Sequence, residues 1–215
     1  IKNKREGNPR PRVAVDNKKD EVYNAQGFPS KGLDYFLTNV KSYKVFGGKA
    51  PLVVSICGIP PEPEKLDVAY QELEELINKI YPYADGFVWN PFSPNTAALT
   101  ALRTPEHFRK NAELIKEKAN GKLKLVKMGP YDGDNRDAWL NLVEAWLDNG
   151  GDGIVAVNTY MVPKDLVPLK EWGYPSAGRS GRFLQRYRQS AINDTRREFP
   201  NTVIIATGGI DSADQ

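Results

Sequence analysis

Two kinds of segment alternate along most of the chain. Short apolar, β-branched runs are separated by longer segments in which apolar residues recur about every 3.6 positions. The short runs predict strands at Leu52–Cys57, Gly86–Trp89, Leu123–Lys127, Gly153–Val157 and Val203–Thr207. Each run is mostly apolar, as is typical of parallel strands that are buried on both faces. The alternation therefore predicts an α/β fold with a parallel sheet.

The segments between these runs predict helices. Leu66–Ile80 carries its apolar residues near a 3.6-residue period, with Glu and Lys largely on the opposite face. Thr104 is a candidate N-cap for the next helix, because Pro105 behind it suits a first helical turn. Two further helices are expected at Asp134–Asp148 and Leu184–Phe199.

Two architectures fit this alternation: a doubly wound sheet and a (β/α)8 TIM barrel. No G-x-G-x-x-G motif follows the first predicted strand, which disfavours a dinucleotide-binding doubly wound sheet. Thr207–Ile210 reads TGGI after a late strand, the place where barrels commonly bind a phosphate group. We therefore expect the barrel. A complete one takes about 250 residues, so the five predicted strands leave about three unaccounted for.

Composition adds limits on the class of protein. The 215 residues are 40% hydrophobic and 27% charged, which is typical of a globular domain and excludes a wholly disordered chain. A net charge of +3 is too small to indicate a nucleic-acid partner. A single cysteine excludes an internal disulfide. The N-terminal residues are polar and basic, unlike a signal peptide, and no apolar run approaches the length of a bilayer span. These features predict a cytoplasmic protein.

Polar side chains follow the predicted strands, where the active sites of barrels lie. Asn90 and Asn158 come directly after two strands, and Lys127 ends a third. No Asp or Glu directly follows a strand, so the carboxylate pair of a glycosidase is not predicted. One histidine and one cysteine do not make a metal site, and none is expected. This rim suits a planar ligand rich in hydrogen-bonding groups, together with an anion.

Seven stretches carry a resemblance to a known family, in the order in which that family has them. They are EGNPRPR (6–12), NAQGFPSKGLDYFL (24–37), NPFSPNT (90–96), LVKMGP (125–130), DGIVAVNT (152–159), GRSGRFL (178–184) and ATGGIDS (206–212). Together they resemble the dihydroorotate dehydrogenases, FMN-dependent barrels of pyrimidine biosynthesis. The resemblance implies a single FMN-binding barrel domain over residues 1–215, incomplete at both ends. The first strand, with the substrate lysine, and the last strand, with the second phosphate loop, are then expected to be missing from this chain.

The resemblance also implies a reaction and its residues. Dihydroorotate is oxidised to orotate when a base takes the C5 proton and the C6 hydride passes to N5 of FMN. The position of the base is Ser93, which needs a closed, dry loop and a relay for its proton. The residues that match substrate contacts are Asn24, Gly27, Phe28, Asn90, Asn95, Asn158 and Thr159.

A second set of residues matches the cofactor site of this family. Lys127 corresponds to the lysine near N1 of the flavin, where negative charge develops on reduction. Gly208 and Gly209 correspond to the turn whose backbone N–H groups bind the FMN phosphate. The remaining flavin contacts match Ser55, Asn90, Ser180 and Gly181.

The two branches of the family are both represented. EGNPRPR and NAQGFPSKGLDYFL resemble the soluble, fumarate-using branch, whereas Ser93, PNT and GRSGR resemble the membrane-associated, quinone-using branch. The electron acceptor is therefore fumarate or quinone, and a homodimer is common in the soluble branch. Phe92 stands where the family has a small residue, and it is expected to crowd the loop beside the base. This leaves two alternatives: a related FMN barrel acting on another dihydropyrimidine, and a non-catalytic flavin-binding barrel.

Three other features are given structural roles. His107 is expected on the surface of a helix, and Cys57 is expected to be buried at the end of a strand. The arginines between Arg179 and Arg197 are interpreted as a solvated helix face, of which the first members can attract an anion.

Overall fold

A computed structural model describes residues 1–45, 47–93 and 96–212 of the chain. The strands are β1 (Val13–Asp16), β2 (Glu21–Asn24), β3 (Val53–Ile56), β4 (Gly86–Trp89), β5 (Leu123–Lys127), β6 (Gly153–Ala156), β7 (Tyr160–Pro163), β8 (Ser176–Gly181) and β9 (Val203–Ala206). The helices are α1 (Leu33–Val45), α2 (Leu66–Ile80), α3 (Pro105–Lys118), α4 (Arg136–Leu147) and α5 (Gln185–Glu198). Short 3-10 helices lie at Ala97–Leu102, Lys164–Leu166 and Arg182–Leu184.

The main sheet is parallel and contains the five predicted strands. Its order is β3-β4-β5-β6-β9, so each strand lies beside the strand that follows it in this sheet. Helices α2, α3 and α4 connect successive strands, and α5 precedes β9. In a doubly wound sheet the strand order reverses direction at a switch point. Here the order runs in one direction throughout, which is the order of a (β/α) barrel. The prediction of a barrel-type α/β fold is confirmed, and the described strands form part of one.

The helix boundaries follow the sequence signals closely. α2 spans the predicted residues, and Thr104 caps α3 by accepting a hydrogen bond from the backbone N–H of His107 at 3.3 Å. The core between the helices and the outer face of the sheet includes the fully buried aromatic side chains of Trp89, Trp146, Phe87 and Phe108. The inner face of the sheet has a much smaller cluster, formed by Val88, Leu125 and Val155.

A second sheet was not predicted. It is antiparallel, with the order β1-β2-β8-β7, and it is inserted before β3 and between β6 and α5. Its strands are four to six residues long and several carry charged residues or glycines, while in β1 and β2 buried and more exposed positions alternate. They therefore lack the signal by which buried parallel strands are predicted.

Cys57 is buried, as expected, and burial raises the pKa of its thiol to about 12. Two structural predictions are wrong. His107 is half-buried rather than a surface residue, because its Nδ1 lies 2.6 Å from the hydroxyl of Tyr70 on α2. The arginines do not form one solvated face, since Arg179 is part of β8 and Arg188 is only 1% exposed.

Candidate active site

The ends of three neighbouring parallel strands bring the predicted polar residues to one rim. Asn90 follows β4, Lys127 ends β5, and Asn158 follows β6 by two residues. Backbone hydrogen bonds continue past the strand ends, from Asn90 N–H to the carbonyl of Ile56 at 3.0 Å and from Asn158 N–H to that of Met128 at 3.0 Å. The backbone that carries the two asparagines is therefore held by the adjacent strands.

A cavity of about 320 Å³ opens at this rim. Its lining includes eight residues that the sequence analysis singled out: Asn24, Gly27, Phe28, Asn90, Ser93, Lys127, Asn158 and Thr159. Gln26, Pro29 and Phe92 complete the lining and were not predicted as site residues. Asn95 lies outside the described residues. The cavity thus joins the parallel strand ends to the loop that follows β2.

The loop after β2 enters the cavity through two residues with left-handed backbone conformations. Gly27 has φ 70° and Phe28 has φ 55°. At Gly27 a side chain would also collide with Asn8, because a Cβ would lie 2.6 Å from Oδ1 of that residue. A left-handed phenylalanine is a strained conformation, and such strain is found most often at functional sites.

Two of the asparagine side chains are held in a fixed orientation. Asn158 donates from Nδ2 to the carbonyl of Phe92, and its Oδ1 accepts the N–H of Thr159 at 2.8 Å. Asn24 donates from Nδ2 to the carbonyl of Gly178 on β8 at 3.1 Å. These bonds use both ends of the Asn158 amide and leave Oδ1 of Asn24 for a ligand.

Two buried polar atoms at the rim have no hydrogen-bond partner among the described residues. They are Oδ1 of Asn90 and Oγ1 of Thr159. A buried polar atom without a partner costs about 1–3 kcal/mol, and native structures contain few of them. Oδ1 of Asn90 therefore indicates a ligand that supplies a donor, whereas the hydroxyl of Thr159 can donate to a ligand or accept from it.

Ser93 is 8% exposed and is embedded in hydrogen bonds. The hydroxyl of Thr96 donates to Oγ of Ser93 at 3.2 Å, while Nη2 of Arg103 donates to the backbone carbonyl of Ser93 at 2.9 Å. Nε of Arg103 also donates to the carbonyl of Pro91 at 3.2 Å. Arg103 thereby ties the segment before Ser93 to the 3-10 helix that follows.

Arg103 was missed in the sequence, because a lone arginine after a short apolar segment gives no sign of its burial. Burial lowers the pKa of its guanidinium. The guanidinium also lies 5.1 Å from the ring centre of Phe92. That ring packs against Gly129, where a Cβ would come within 2.6 Å of it. The missing side chain at Gly129 therefore makes room for the large residue at position 92.

Lys127 is half-buried in the lining of the cavity, and burial lowers the pKa of its ammonium group. Burial is the one cause of this shift, and no hydrogen bond or ion pair joins Lys127 to another described residue. A partly desolvated cation without a partner is a favourable site for negative charge on a ligand.

The other predicted cofactor residues lie outside the cavity lining. Ser55 is exposed on β3, and the hydroxyl of Ser180 donates to the carbonyl of Val22 at 3.1 Å. Gly181, Gly208 and Gly209 form a separate group, since a Cβ on Gly209 would lie 3.0 Å from the carbonyl oxygen of Gly181. All three glycines have positive φ.

Comparison with known proteins is decisive about the family. The family model for dihydroorotate dehydrogenase matches residues 1–215. The chain belongs to the dihydroorotate dehydrogenase family. A dihydroorotate dehydrogenase (quinone) of Pseudoalteromonas atlantica is 31% identical over 216 residues, covering 96% of this chain and 62% of the relative. One of Nitratiruptor is 28% identical over 210 residues, covering 97% and 57%.

Solved structures show the same fold. A crystal structure of DHODH from Eimeria tenella in complex with ferulenol has a TM-score of 0.80 at 23% identity, and covers 98% of this chain and 61% of that one. The ligand-free enzyme of the same organism gives 0.81 at 22% identity. The chain thus spans about three fifths of the length of the relatives it matches.

The described part of the chain holds neither a membrane-spanning helix nor a metal-binding cluster. No helix there has both the length and the apolar character needed to cross a membrane. Within the same residues, no three His, Cys, Asp or Glu side chains are grouped so that they could hold a metal ion.

Proposed function

We propose that this chain contributes one domain, with the larger part of the active site, to an enzyme that oxidises dihydroorotate to orotate with FMN. The main support for the proposal is the cavity. It is lined by eight residues singled out from the sequence, and two of these residues have buried polar atoms without partners among the described residues. Family membership supports the same reaction.

The residues present fit a flavin. The cation of Lys127 lies in the cavity without a partner, and Oδ1 of Asn90 lacks a donor. Gly208 and Gly209 leave no room for side chains, as expected where a backbone turn approaches a phosphate group closely. FMN, when bound, supplies the acceptor for the hydride. Lys127 would stabilise negative charge on the ring, and the two glycines would bind the phosphate.

The asparagines suit a dihydropyrimidine. With Nδ2 of Asn24 bonded to Gly178, the Oδ1 acceptor of that amide is left available, as is the unpartnered Oδ1 of Asn90. Dihydroorotate has two ring N–H donors, which match such acceptors. Asn158 would act mainly by holding the backbone of Phe92, because both ends of its amide already have partners.

Ser93 is the proposed base. Its Oγ would accept the C5 proton while its own proton passes to the hydroxyl of Thr96, which would rotate to accept it and release its own proton to solvent. Burial keeps bulk water away from Ser93 itself, and Arg103 holds the backbone of Ser93 in place. The proposed electron acceptor is a quinone, as in the names of the relatives, with fumarate as the alternative. A homodimer stays a prediction.

The test uses the protein at its full natural length. The purified protein should be yellow, and anaerobic dihydroorotate should bleach the flavin absorption. Ser93→Ala should slow the bleaching by about 10²–10⁴-fold while FMN stays bound. Ser42→Ala, which changes an exposed serine on α1, is the matched control and should behave as wild type.

The possible outcomes separate the alternatives. A protein that binds no FMN contradicts the proposal. Bleaching by dihydrouracil but not by dihydroorotate would indicate a related barrel, and bound FMN that neither compound reduces would indicate a non-catalytic one. Oxidation of the reduced protein by a quinone but not by fumarate would decide the acceptor.

A further inference from the structure

Arg188 is a buried cation with no acidic partner in the part of the chain that the structure describes. It lies on α5 and is 1% exposed, and its Nε has no hydrogen-bond partner among the described residues. None of the ion pairs among those residues includes it. A guanidinium keeps its charge at any pH that a protein survives. Burial of such a charge is costly unless another charge or hydrogen bonds compensate it.

The one hydrogen bond seen from Arg188 within the described residues points to the glycine turn. Its Nη1 donates to the carbonyl oxygen of Gly208 at 2.9 Å. That carbonyl belongs to the same peptide group as the N–H of Gly209. A hydrogen bond to the oxygen of a peptide group polarises the group and makes its N–H a stronger donor. Arg188 therefore strengthens the donor that Gly209 can offer.

The turn itself has the form of an anion site. Gly208 and Gly209 have φ values of 95° and 68°, and neither N–H donates to another described residue. A Cβ on Gly209 would lie 2.7 Å from the backbone nitrogen of Gln185, the first residue of α5. The turn is therefore pressed against the N-terminal end of a 14-residue helix, where the helix dipole favours negative charge.

We propose that Arg188 determines the preference of this site for a flavin that carries a phosphate, FMN, over riboflavin, which has none. The buried guanidinium would be compensated by the phosphate charge and would act partly through the N–H of Gly209. Arg188 is thus a positioning and specificity-determining residue rather than a direct ligand. The inference rests on the proposed use of FMN and assigns a residue to its selection.

The experiment measures the dissociation constants of FMN and of riboflavin for the apo-protein at full natural length, by quenching of flavin fluorescence. Arg188→Gln should weaken FMN binding by about ten- to a hundredfold, the range expected for a lost charge-assisted hydrogen bond. Riboflavin binding should stay the same, so the ratio of the two constants falls by that factor. Arg197→Gln is the matched control, because it removes an exposed arginine from the same helix. Its ratio should equal that of wild type.

A second measurement uses the wild-type protein alone and therefore does not depend on whether the variant folds. In the wild-type protein, the N–H resonance of Arg188 Nε should shift when FMN is added and not when riboflavin is added. An unchanged ratio in a folded Arg188→Gln protein, or equal shifts with both flavins, would overturn the inference while leaving the proposed function intact. Failure of wild type to bind FMN would overturn both.

Discussion

The two sheets of this chain are stabilised in different ways. The parallel sheet rests on one large apolar core, in which Trp89 and Trp146 stack with ring centres 6.0 Å apart. The antiparallel sheet has a small core around Tyr23 and Trp172, and it adds a buried ion pair between Glu21 and Arg179. The first arrangement follows from apolar runs in the sequence, whereas the second depends on one pair of charged residues 158 positions apart. Both sheets supply residues to the same cavity.

The largest effect is expected from Trp146→Ala in the parallel region. Trp146 is fully buried, and its Nε1 donates to the carbonyl of Gly153 at 3.0 Å. Truncation of a buried tryptophan costs about 3–5 kcal/mol, so the free energy of unfolding of the whole domain should fall by that amount in a urea titration.

Trp172→Ala is the matched variant in the small sheet, since Trp172 is 1% exposed. It should mainly increase hydrogen exchange in β7 and β8 and leave the parallel strands protected. If both variants lower the protection of the whole chain equally, the two sheets unfold as one unit and the contrast between them is lost.

The next effect is expected from Glu21→Gln. Arg179 donates to Glu21 from Nε at 2.9 Å and from Nη2 at 2.5 Å, and the hydroxyl of Tyr23 donates to the same carboxylate at 2.7 Å. Loss of one partner of a buried pair costs about 3–5 kcal/mol. Hydrogen exchange at the amides of β2 and β8 should accelerate accordingly, whereas Glu6→Gln, at an exposed ion pair, should change nothing measurable.

The same pair should make the antiparallel sheet sensitive to acid. Burial raises the pKa of Glu21, but the hydrogen bonds from Arg179 and Tyr23 outweigh it and hold the pKa below the ordinary value of 4.5. The ionised carboxylate therefore stabilises the sheet above pH 4.5 and the stabilisation is lost as the pH falls through the lower, folded-state value. Fluorescence of Trp172 can follow this transition. An identical acid transition in Glu21→Gln would show that another group causes it.

The smallest effect is expected from Thr104→Ala at the start of α3. Removal of the N-cap hydroxyl should cost about 1 kcal/mol, seen as a lower urea midpoint for the domain. Thr104→Ser retains the hydroxyl and should restore the midpoint. A loss of several kcal/mol would mean that α3 depends on its cap more than on the buried face around Phe108.

The parallel strands and their helices could be predicted almost to the residue, because burial on both faces leaves a continuous apolar signal. The antiparallel strands could not, since their ion pair joins distant residues. Most of the cavity followed from family motifs, but Arg103 and Arg188 did not. A signal for Arg188 was present: it is three and seven residues before Ala191 and Thr195, which are both buried on the same side of α5.

Gly178 sits where β8 meets the rim of the parallel sheet. A Cβ there would lie 2.4 Å from Oγ1 of Thr159 and 3.2 Å from Nδ2 of Asn24, so any side chain would displace one or both of them. Selection should therefore retain a glycine at this position while it allows the exposed residues of the segment 164–175, around the buried Val167 and Trp172, to change. A single larger residue at position 178 would disturb two residues of the cavity lining at once, without itself lining the cavity.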